Sequence, residues 1–429
     1  MLKAGFARLD ITPPFGAPLD GYPRIRSVKG VLDPIELNAI ALNDGEKTVV
    51  MIAADVLSIN IVDVKVIKDL IFERTGLESD NILISALHQH TSFRLQHKET
   101  GHLPAAYAEV LYTKFADVTQ MAIDDMSDTE ISSAEKLAEE PLGFVRRYYL
   151  NDGRIVSFPS PADIPKLIGR CAEADNTVRF LRFKRNGAKD IALVNFSTHP
   201  DVVHGEKVSA DWPGFTRRFV EADNHDVSCI FFTGAQGDSN HLDLLNAPKN
   251  GYEHSKHMGR IVANAVKDMW DKTTPHPDGK LFAEIKTIYN KSNTDGEEKY
   301  EECKAKAKAL ADGTLGYNPH IEERAFIRRV IDIRENMTIY RPLPVTVIGI
   351  SDIVITGFAG EPFTEYGEAV RHAAGGRFAL TFIQTNGSQG YLPSAQAFEQ
   401  GGYEPASSRF TSTLEEEAIA AASELMAKF

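Results

Sequence analysis

A pair of histidines at the end of an apolar run is the first feature of the chain that could carry chemistry. His88 and His90 are separated by one residue and follow residues 81–87, which read Asn-Ile-Leu-Ile-Ser-Ala-Leu. Side chains two positions apart on a β-strand point to the same face, so the two imidazoles are expected to converge. Neutral imidazoles are zinc ligands, but histidines of a core or of the surface would give the same pattern. The pair by itself leaves both interpretations open.

Two further strand ends carry side chains that can bind a metal. A second apolar run, residues 191–198, stops at His199. A third run ends in Gly360 and Glu361, just before a predicted helix at 365–372. Two histidines and one glutamate are a recurrent set of catalytic zinc ligands that leaves one position for water. The alternative is that Glu361 only stabilises the helix N-terminus through its charge.

A serine nucleophile is the competing interpretation of the polar residues. Gly-Asp-Ser at 237–239 follows a predicted strand and could be the turn that carries the nucleophile of a serine hydrolase. Such an enzyme would have Asp-x-x-His near its C-terminal end, whereas Ala369 stands three residues before the last histidine, His372. We therefore favour metal chemistry over Ser239.

One structural use and a second metal site remain open among the other polar residues. Asp211 precedes Trp-Pro-Gly and could cap the helix that follows. His204, His241 and Asp238 could together hold another ion. The chain has no Walker loop and no dinucleotide-binding glycine motif after a strand, so nucleotide chemistry has no support.

The elements that must position these residues alternate between short β-type runs and longer amphipathic stretches. This alternation predicts an α/β fold with mixed sheets and surrounding helices. Strands are predicted at 37–42, 47–57, 82–86, 177–183, 191–197, 229–233, 282–289, 345–355 and 378–384. Helices are predicted at 61–75, 105–125, 253–271, 297–311, 365–372 and 414–427. We expect one catalytic unit over residues 1–429, with the polar stretch 290–341 as a solvated helical pair or, alternatively, a lid.

Composition limits the class of partner. The chain has 429 residues with 47 Lys plus Arg against 60 Asp plus Glu, and its formal charge of −13 argues against nucleic acid as a partner. Its three cysteines, at 171, 229 and 303, are too few and too far apart for a disulfide framework or a cysteine zinc site. Charged residues begin at Lys3, and no apolar run is long enough for a signal peptide or a membrane anchor. We therefore expect a cytoplasmic protein; the oligomeric state is left open.

Several motifs occur in the order known from one enzyme family. They are residues 4–14, His88-Gln-His90, Arg146-Arg147, residues 195–199 with Asp211, Gly237-Asp238, residues 360–364, and residues 386–391 leading into 403–407. In this order they resemble the N-terminal catalytic domain of neutral, or alkaline non-lysosomal, ceramidases, across nearly the whole chain. The resemblance implies the fold of that domain, one zinc ion per chain, and hydrolysis of an amide bond.

The resemblance also implies roles for individual residues. The zinc ligands would be His88, His199, Glu361 and Tyr391. Three residues would surround the reacting carbonyl: His90 as a proton shuttle, with Arg146 and Tyr403 stabilising the oxyanion. Asp211 and Asp238 would orient the histidine ligands from behind.

Departures from the family pattern bear on the substrate. Residues 91–94 read Thr-Ser-Phe-Arg where the family has Ser-Gly-Pro-Gly, and Asn240 stands at the position of a catalytic serine. Arg94 could contact an anionic group of the substrate or be an exposed loop charge. The last predicted helix, 414–427, leads us to expect no immunoglobulin-like C-terminal domain.

We therefore predict a zinc-dependent hydrolase that cleaves an amide of a small or polar N-acyl substrate rather than ceramide. The alternatives are hydrolysis of an ester, lactone or glycoside, and a non-catalytic, zinc-stabilised binding protein.

Overall fold

The computed structural model describes residues 1–22, 26–100, 102–276, 279–312 and 319–429, and it contains two principal sheets. The larger sheet contains β1 (Lys3–Asp10), β2 (Glu36–Asn43), β3 (Thr48–Ala54), β4 (Ile82–Ala86), β5 (Ser127–Leu137), β6 (Thr177–Arg185), β7 (Asp190–Phe196), β8 (Val227–Thr233) and β9 (Thr274–His276). The smaller sheet contains β10 (Leu281–Lys291), β11 (Tyr340–Ile350), β12 (Ile353–Phe358) and β13 (Phe378–Phe382). The predicted mixed α/β class is confirmed.

Helices flank these sheets. They are α1 (Ile61–Thr75), α2 (Ala105–Asp124), α3 (Asp211–Asp223), α4 (Tyr252–Met269), α5 (Tyr300–Ala311), α6 (Ile321–Asn336), α7 (Thr364–Ala373), α8 (Ala395–Gln400), α9 (Tyr403–Ser407) and α10 (Leu414–Met426). Local sequence explains the bounds of α1: the Asn60 side chain accepts a hydrogen bond from the Val62 amide, and Gly76 ends the helix in a left-handed conformation.

The topology of the larger sheet brings distant strand ends together. Its order is β8-β7-β6-β5-β1-β2-β3-β4, and β9 pairs with β5. The pairs β7–β8 and β3–β4 are parallel, and the others are antiparallel. The terminal strand β8 also contacts β2 and β3, so the loops after β4, β7 and β8 meet.

The smaller sheet packs against β8 and adds two further strand ends. Its order is β10-β11-β12-β13, with β12 and β13 parallel. The rings of Phe232 and Phe382 stack with centroids 4.1 Å apart, inside the main apolar core. Stacking of this kind fixes the loops after β12 and β13 beside the loops of the larger sheet.

The structure corrects two predicted strands and contains a long strand that was not predicted. Residues 345–355 are not one strand, because the chain reverses at Ser351, whose φ is +59°, and forms the hairpin β11–β12. The strand predicted at 47–57 ends at Ala54. The long strand β5 was missed because two of its three buried residues, Thr129 and Ser133, are polar, so the sequence shows no apolar–polar alternation.

The polar stretch 290–341 folds into a pair of helices, α5 and α6, and its residues 313–318 lie outside the described part of the chain. The pair has its own small core of Cys303, Ile327 and Val330. Helix α6 also contacts α9. The stretch is therefore packed onto the body of the molecule rather than projecting into solvent.

Candidate functional site

Three imidazoles lie at the junction of the two sheets. The ring centroids of His88 and His90 are 5.1 Å apart, and those of His88 and His199 are 5.2 Å apart. One nitrogen of each of the three rings lies within 4.8 Å of the others, which is the geometry of a group that could hold a metal ion. The sequence-predicted convergence of His88 and His90 is present, but its cause is different. Strand β4 ends at Ala86, and the left-handed backbone of His88, with φ +76°, turns the pair inward.

Glu361 completes this cluster. Its Oε2 lies 3.2 Å from Nε2 of His88 and 3.3 Å from Nε2 of His199. Ligands held at about 2.0–2.2 Å from a tetrahedral zinc are separated by roughly 3.3–3.6 Å, so these distances match the edges of such a site. Oε2 is buried and accepts no hydrogen bond from any described residue. A buried carboxylate oxygen in this position fits a metal ion.

Backbone carbonyls fix the tautomers of the two histidines. Nδ1 of His88 lies 2.8 Å from the carbonyl oxygen of Leu57. Nδ1 of His199 lies 2.9 Å and 2.8 Å from the carbonyl oxygens of Gln236 and Ser239. A carbonyl only accepts, so each Nδ1 carries the proton, which leaves the lone pair of each Nε2 available to a metal ion.

Burial and neighbouring charge set the protonation states of the cluster. Burial lowers the pKa of His199 to about 4, and the adjacent Arg146 guanidinium acts in the same direction. Burial also holds the pKa of His90 well below its usual range. Burial alone would raise the pKa of Glu361, but His88 and His199 hold it well below its usual range. Neutral imidazoles and an ionised carboxylate are the forms that bind a metal.

Tyr391 is placed beside Glu361 by a short parallel pairing. The two-residue strands Glu361–Pro362 and Tyr391–Leu392 pair in register, so Glu361 lies directly opposite Tyr391. The ring of Tyr391 lies 5.5 Å from that of Tyr403, the first residue of α9. Both tyrosines line the same cavity as the histidines. This arrangement brings every ligand implied by the sequence resemblance to one place.

His90 occupies a position that suits two roles. Both of its ring nitrogens are buried, and neither makes a hydrogen bond with a described residue. The ring of Tyr22 packs edge-on against it at 5.3 Å. Because His90 belongs to the three-imidazole group, it is a candidate ligand as well as the proton shuttle expected from the sequence.

Arg146 lies behind the cluster and not in the cavity lining. Its Nε donates to Oε1 of Glu404 at 2.8 Å, its Nη2 donates to the carbonyl of Gly237 at 2.9 Å, and its Nη1 lies 3.4 Å from Nε2 of His199. The guanidinium also stacks above the ring of Tyr391 at 5.4 Å. These contacts make Arg146 a positioning residue for His199 and Tyr391, and its expected oxyanion role stays a prediction.

Asp211 and Asp238 do not contact the histidines, which corrects their expected role. The Asp211 carboxylate accepts from the amides of Val202 and Val203 and from Ser255, and so holds the loop after His199. The Asp238 carboxylate accepts from the amide and the hydroxyl of Thr364. Both carboxylates therefore hold loops, while backbone carbonyls orient the rings.

A catalytic role for Asn240 stays a prediction, and its described contacts are with backbone groups. Its Oδ1 accepts from the amide of Leu242, its backbone pairs with Phe144, and it does not line the cavity among the described residues. The second metal cluster considered from the sequence, His204, His241 and Asp238, does not form. His241 pairs with Asp201, and His204 contacts Asn250. Within the described ranges, the three-imidazole group is the one such cluster.

Two residues of the site were not singled out in the sequence. Gln384, after β13, has a backbone φ of +47° and donates from Nε2 to Oε1 of Glu361 at 3.3 Å. Glu404 is fully buried and accepts from Arg146 and, at 2.6 Å, from Ser157. The end of an apolar run could have pointed to Gln384. Nothing local distinguishes Glu404 from a surface glutamate.

The cluster opens into a cavity of about 280 Å³. Arg94 lies in its wall. The opposite wall is formed by α6, which contributes Ile321 and Ala325. The helical pair of the polar stretch thus shapes the space in front of the candidate metal site.

A substitution at Gly237 tests how closely the loop after β8 must approach the segment that carries Glu361. Its amide donates to the carbonyl of Pro362 at 2.8 Å, and an added Cβ would lie 2.2 Å from the carbonyl oxygen of Glu361. We expect Gly237→Ala to displace Glu361 and to weaken zinc binding about 10- to 100-fold in a metal titration. Gly169→Ala is the control, because a Cβ there meets nothing within 4 Å. Equal zinc affinity in both variants would contradict this account of the loop.

Two solved structures share the fold of this chain. The structure of neutral ceramidase from Pseudomonas aeruginosa matches with a TM-score of 0.73 and 13% identity, over 99% of this chain and 74% of that one. A ceramidase complexed with C2 matches with a TM-score of 0.71 and 12% identity, over the same shares of both chains. The chain has the neutral ceramidase fold.

Comparisons by sequence add nothing to this likeness, since no family model and no curated protein matches the chain. In the part of the chain that the structure describes, no helix has both the length and the apolar character needed to cross a bilayer.

Proposed function

We propose that this protein is a zinc-dependent hydrolase that cleaves an amide bond in a small or polar N-acyl substrate. The observation that carries the proposal is the meeting of Nε2 of His88, Nε2 of His199 and Oε2 of Glu361 at separations of 3.2 and 3.3 Å, at the end of a cavity. The likeness to ceramidase structures, at 12–13% identity, supports the same class of reaction.

His88, His199 and Glu361 would hold the metal, and Tyr391 is the candidate for a fourth ligand. When bound, zinc lowers the pKa of water from 15.7 to about 7 and polarises a carbonyl as a Lewis acid. The remaining steps depend on the chain's own residues.

His90 is suited to move the proton. Both ring nitrogens are buried beside the cavity and are without partners among the described residues, so one of them can accept a proton. One nitrogen would accept a proton from the attacking water, and the same nitrogen would return it to the leaving amine.

Tyr403 is suited to stabilise the developing oxyanion. Burial raises the pKa of its phenol, so the hydroxyl keeps its proton and remains a donor at the cavity wall. One such donor typically stabilises the transition state by about 2.7–4 kcal/mol. Arg146 would act indirectly, by holding the ring of His199.

The first experiment is a metal analysis by plasma mass spectrometry on protein purified without a metal-affinity step. It is paired with a screen of N-acyl substrates before and after chelation. We expect about one zinc per chain and amide cleavage that is lost on chelation and restored by zinc. Zinc without turnover on any amide would favour cleavage of an ester, lactone or glycoside, or a binding role. Absence of metal would overturn the proposal.

A further inference from the structure

The cavity has a charge opposite to that of the whole chain. The chain carries a formal charge of −13, yet the described cavity wall includes five arginines and one carboxylate, Glu361. The arginines are Arg94, Arg324, Arg328, Arg329 and Arg409. Since Glu361 belongs to the candidate metal site, the rest of the wall is strongly positive.

Three of the five arginines are already engaged. Arg329 donates to the carbonyls of Ala406 and Asn293, and Arg409 donates to Asp332. Arg324 donates to the carbonyl of Pro319. These contacts fix α6 against α9 and the neighbouring loops, so these three guanidinium groups are structural.

Arg94 and Arg328 differ from the other three. Both side chains are exposed, and neither guanidinium makes a hydrogen bond or an ion pair with any residue that the structure describes. Asp20 lies nearby, but its two carboxylate oxygens are taken by the backbone amide of Arg94 and by His102. Two unpaired guanidinium groups therefore remain at the cavity.

The two residues stand on different elements and face the same space. Arg328 belongs to α6, and Arg94 lies in the segment that follows the histidine pair. Both line the candidate active-site cavity, and both line an adjoining depression with Tyr403. The positive charges are thus next to the proposed oxyanion donor and apart from the metal ligands.

We infer that Arg94 and Arg328 bind an anionic group of the substrate, a carboxylate or a phosphate-type group, on the part of the molecule beyond the scissile bond. A guanidinium presents paired N–H donors that match the oxygens of such groups. This inference rests on the proposed function for the identity of the scissile bond. The substrate class is then an acidic N-acyl compound, such as an N-acylated amino acid, small enough for a cavity of about 280 Å³.

The test separates binding from hydrolysis. Three ketone analogues of N-acetylglycine that cannot be cleaved serve as binding probes: levulinate, its carboxamide, and the phosphonate of the same length. We expect at least one of the two anions to bind the purified full-length protein about tenfold more tightly than the neutral carboxamide. Comparing the affinity of levulinate with that of the phosphonate identifies which anionic group is preferred.

Variants assign the preference to the two arginines. Arg94→Gln and Arg328→Gln are each expected to remove most of the anion preference. Arg154→Gln should retain it, because Arg154 is an exposed arginine paired with Asp152. Equal binding of all three probes, absence of anion binding, or a preference that survives both variants would overturn the inference.

Hydrolysis of N-acetylglycine and its carboxamide is then measured on the same proteins. Anion preference without cleavage of any amide would leave the arginine site standing and reject the proposed reaction. Equal cleavage of both compounds, unaffected by either variant, would reject the arginine site and leave the reaction standing.

Discussion

Replacing His199 with alanine is expected to abolish both zinc binding and hydrolytic activity. His199 is fully buried, its Nε2 faces Glu361 at 3.3 Å, and two backbone carbonyls hold its Nδ1. Its removal breaks the set of two histidines and one glutamate on which a catalytic zinc site of this type depends. We expect the zinc content to fall from about one per chain to near zero, with kcat/KM reduced at least as much.

The controls separate loss of metal from loss of fold. His257→Ala removes an exposed histidine of α4 that pairs with Glu140. This variant should keep both zinc and activity. Far-ultraviolet circular dichroism and thermal melting show whether His199→Ala is folded, and His199→Gln provides a polar replacement of closer size. A folded His199→Ala variant with full zinc and full activity would remove His199 from the site.

Glu404→Gln is expected to lower the free energy of unfolding by about 3–5 kcal/mol, because it leaves a buried arginine without its counter-charge. Glu404 and Arg146 are 0% and 3% exposed, and their contact of 2.8 Å joins residues 258 positions apart. Ser157 also donates to this carboxylate. Urea denaturation measures the change, and the zinc content reports whether Arg146 still holds the ring of His199.

An exposed ion pair is the matched control for this prediction. Lys65 and Asp69 face each other across one turn of α1, with side chains 76% and 58% exposed. Asp69→Asn should change the stability by about 0–1 kcal/mol, because water already screens this pair. If Glu404→Gln behaves like Asp69→Asn, the buried pair does not hold the site together.

The candidate metal ligands His88, His199 and Glu361 stand out in the sequence because they follow apolar runs. Strands β4, β7 and β12 are nearly continuous in Ile, Val, Leu and Phe, and such runs mark buried strands whose ends face a common edge. The same signal failed for β5, because two of its three buried residues are the polar Thr129 and Ser133, so hydrophobicity does not alternate along it. It also merged β11 and β12, because their hairpin turns at Ser351 without Gly or Pro.

The supporting residues could not be predicted, because their partners lie far along the chain. The orienting groups for His88 and His199 are carbonyls of Leu57, Gln236 and Ser239, which every residue type possesses. Asp211 and Asp238 were natural candidates by residue type, yet packing directs both carboxylates to loops. Which acceptor meets a ring nitrogen depends on the packed backbone and leaves no pattern in the residue types.

By itself, the sequence determined the chemistry available at each strand end, because hydrophobic periodicity and residue type are local properties. Only the tertiary structure decided which of those ends meet. The contact of β8 with β2 and β3 brings His88 close to His199. The pairing of Arg146 with Glu404 fixes the guanidinium that lies against His199. It also decided that α6 faces the cavity and brings Arg328 to the side of Arg94. These contacts follow from burying apolar surface between distant segments, a free energy that belongs to the whole fold and to no single stretch of chain.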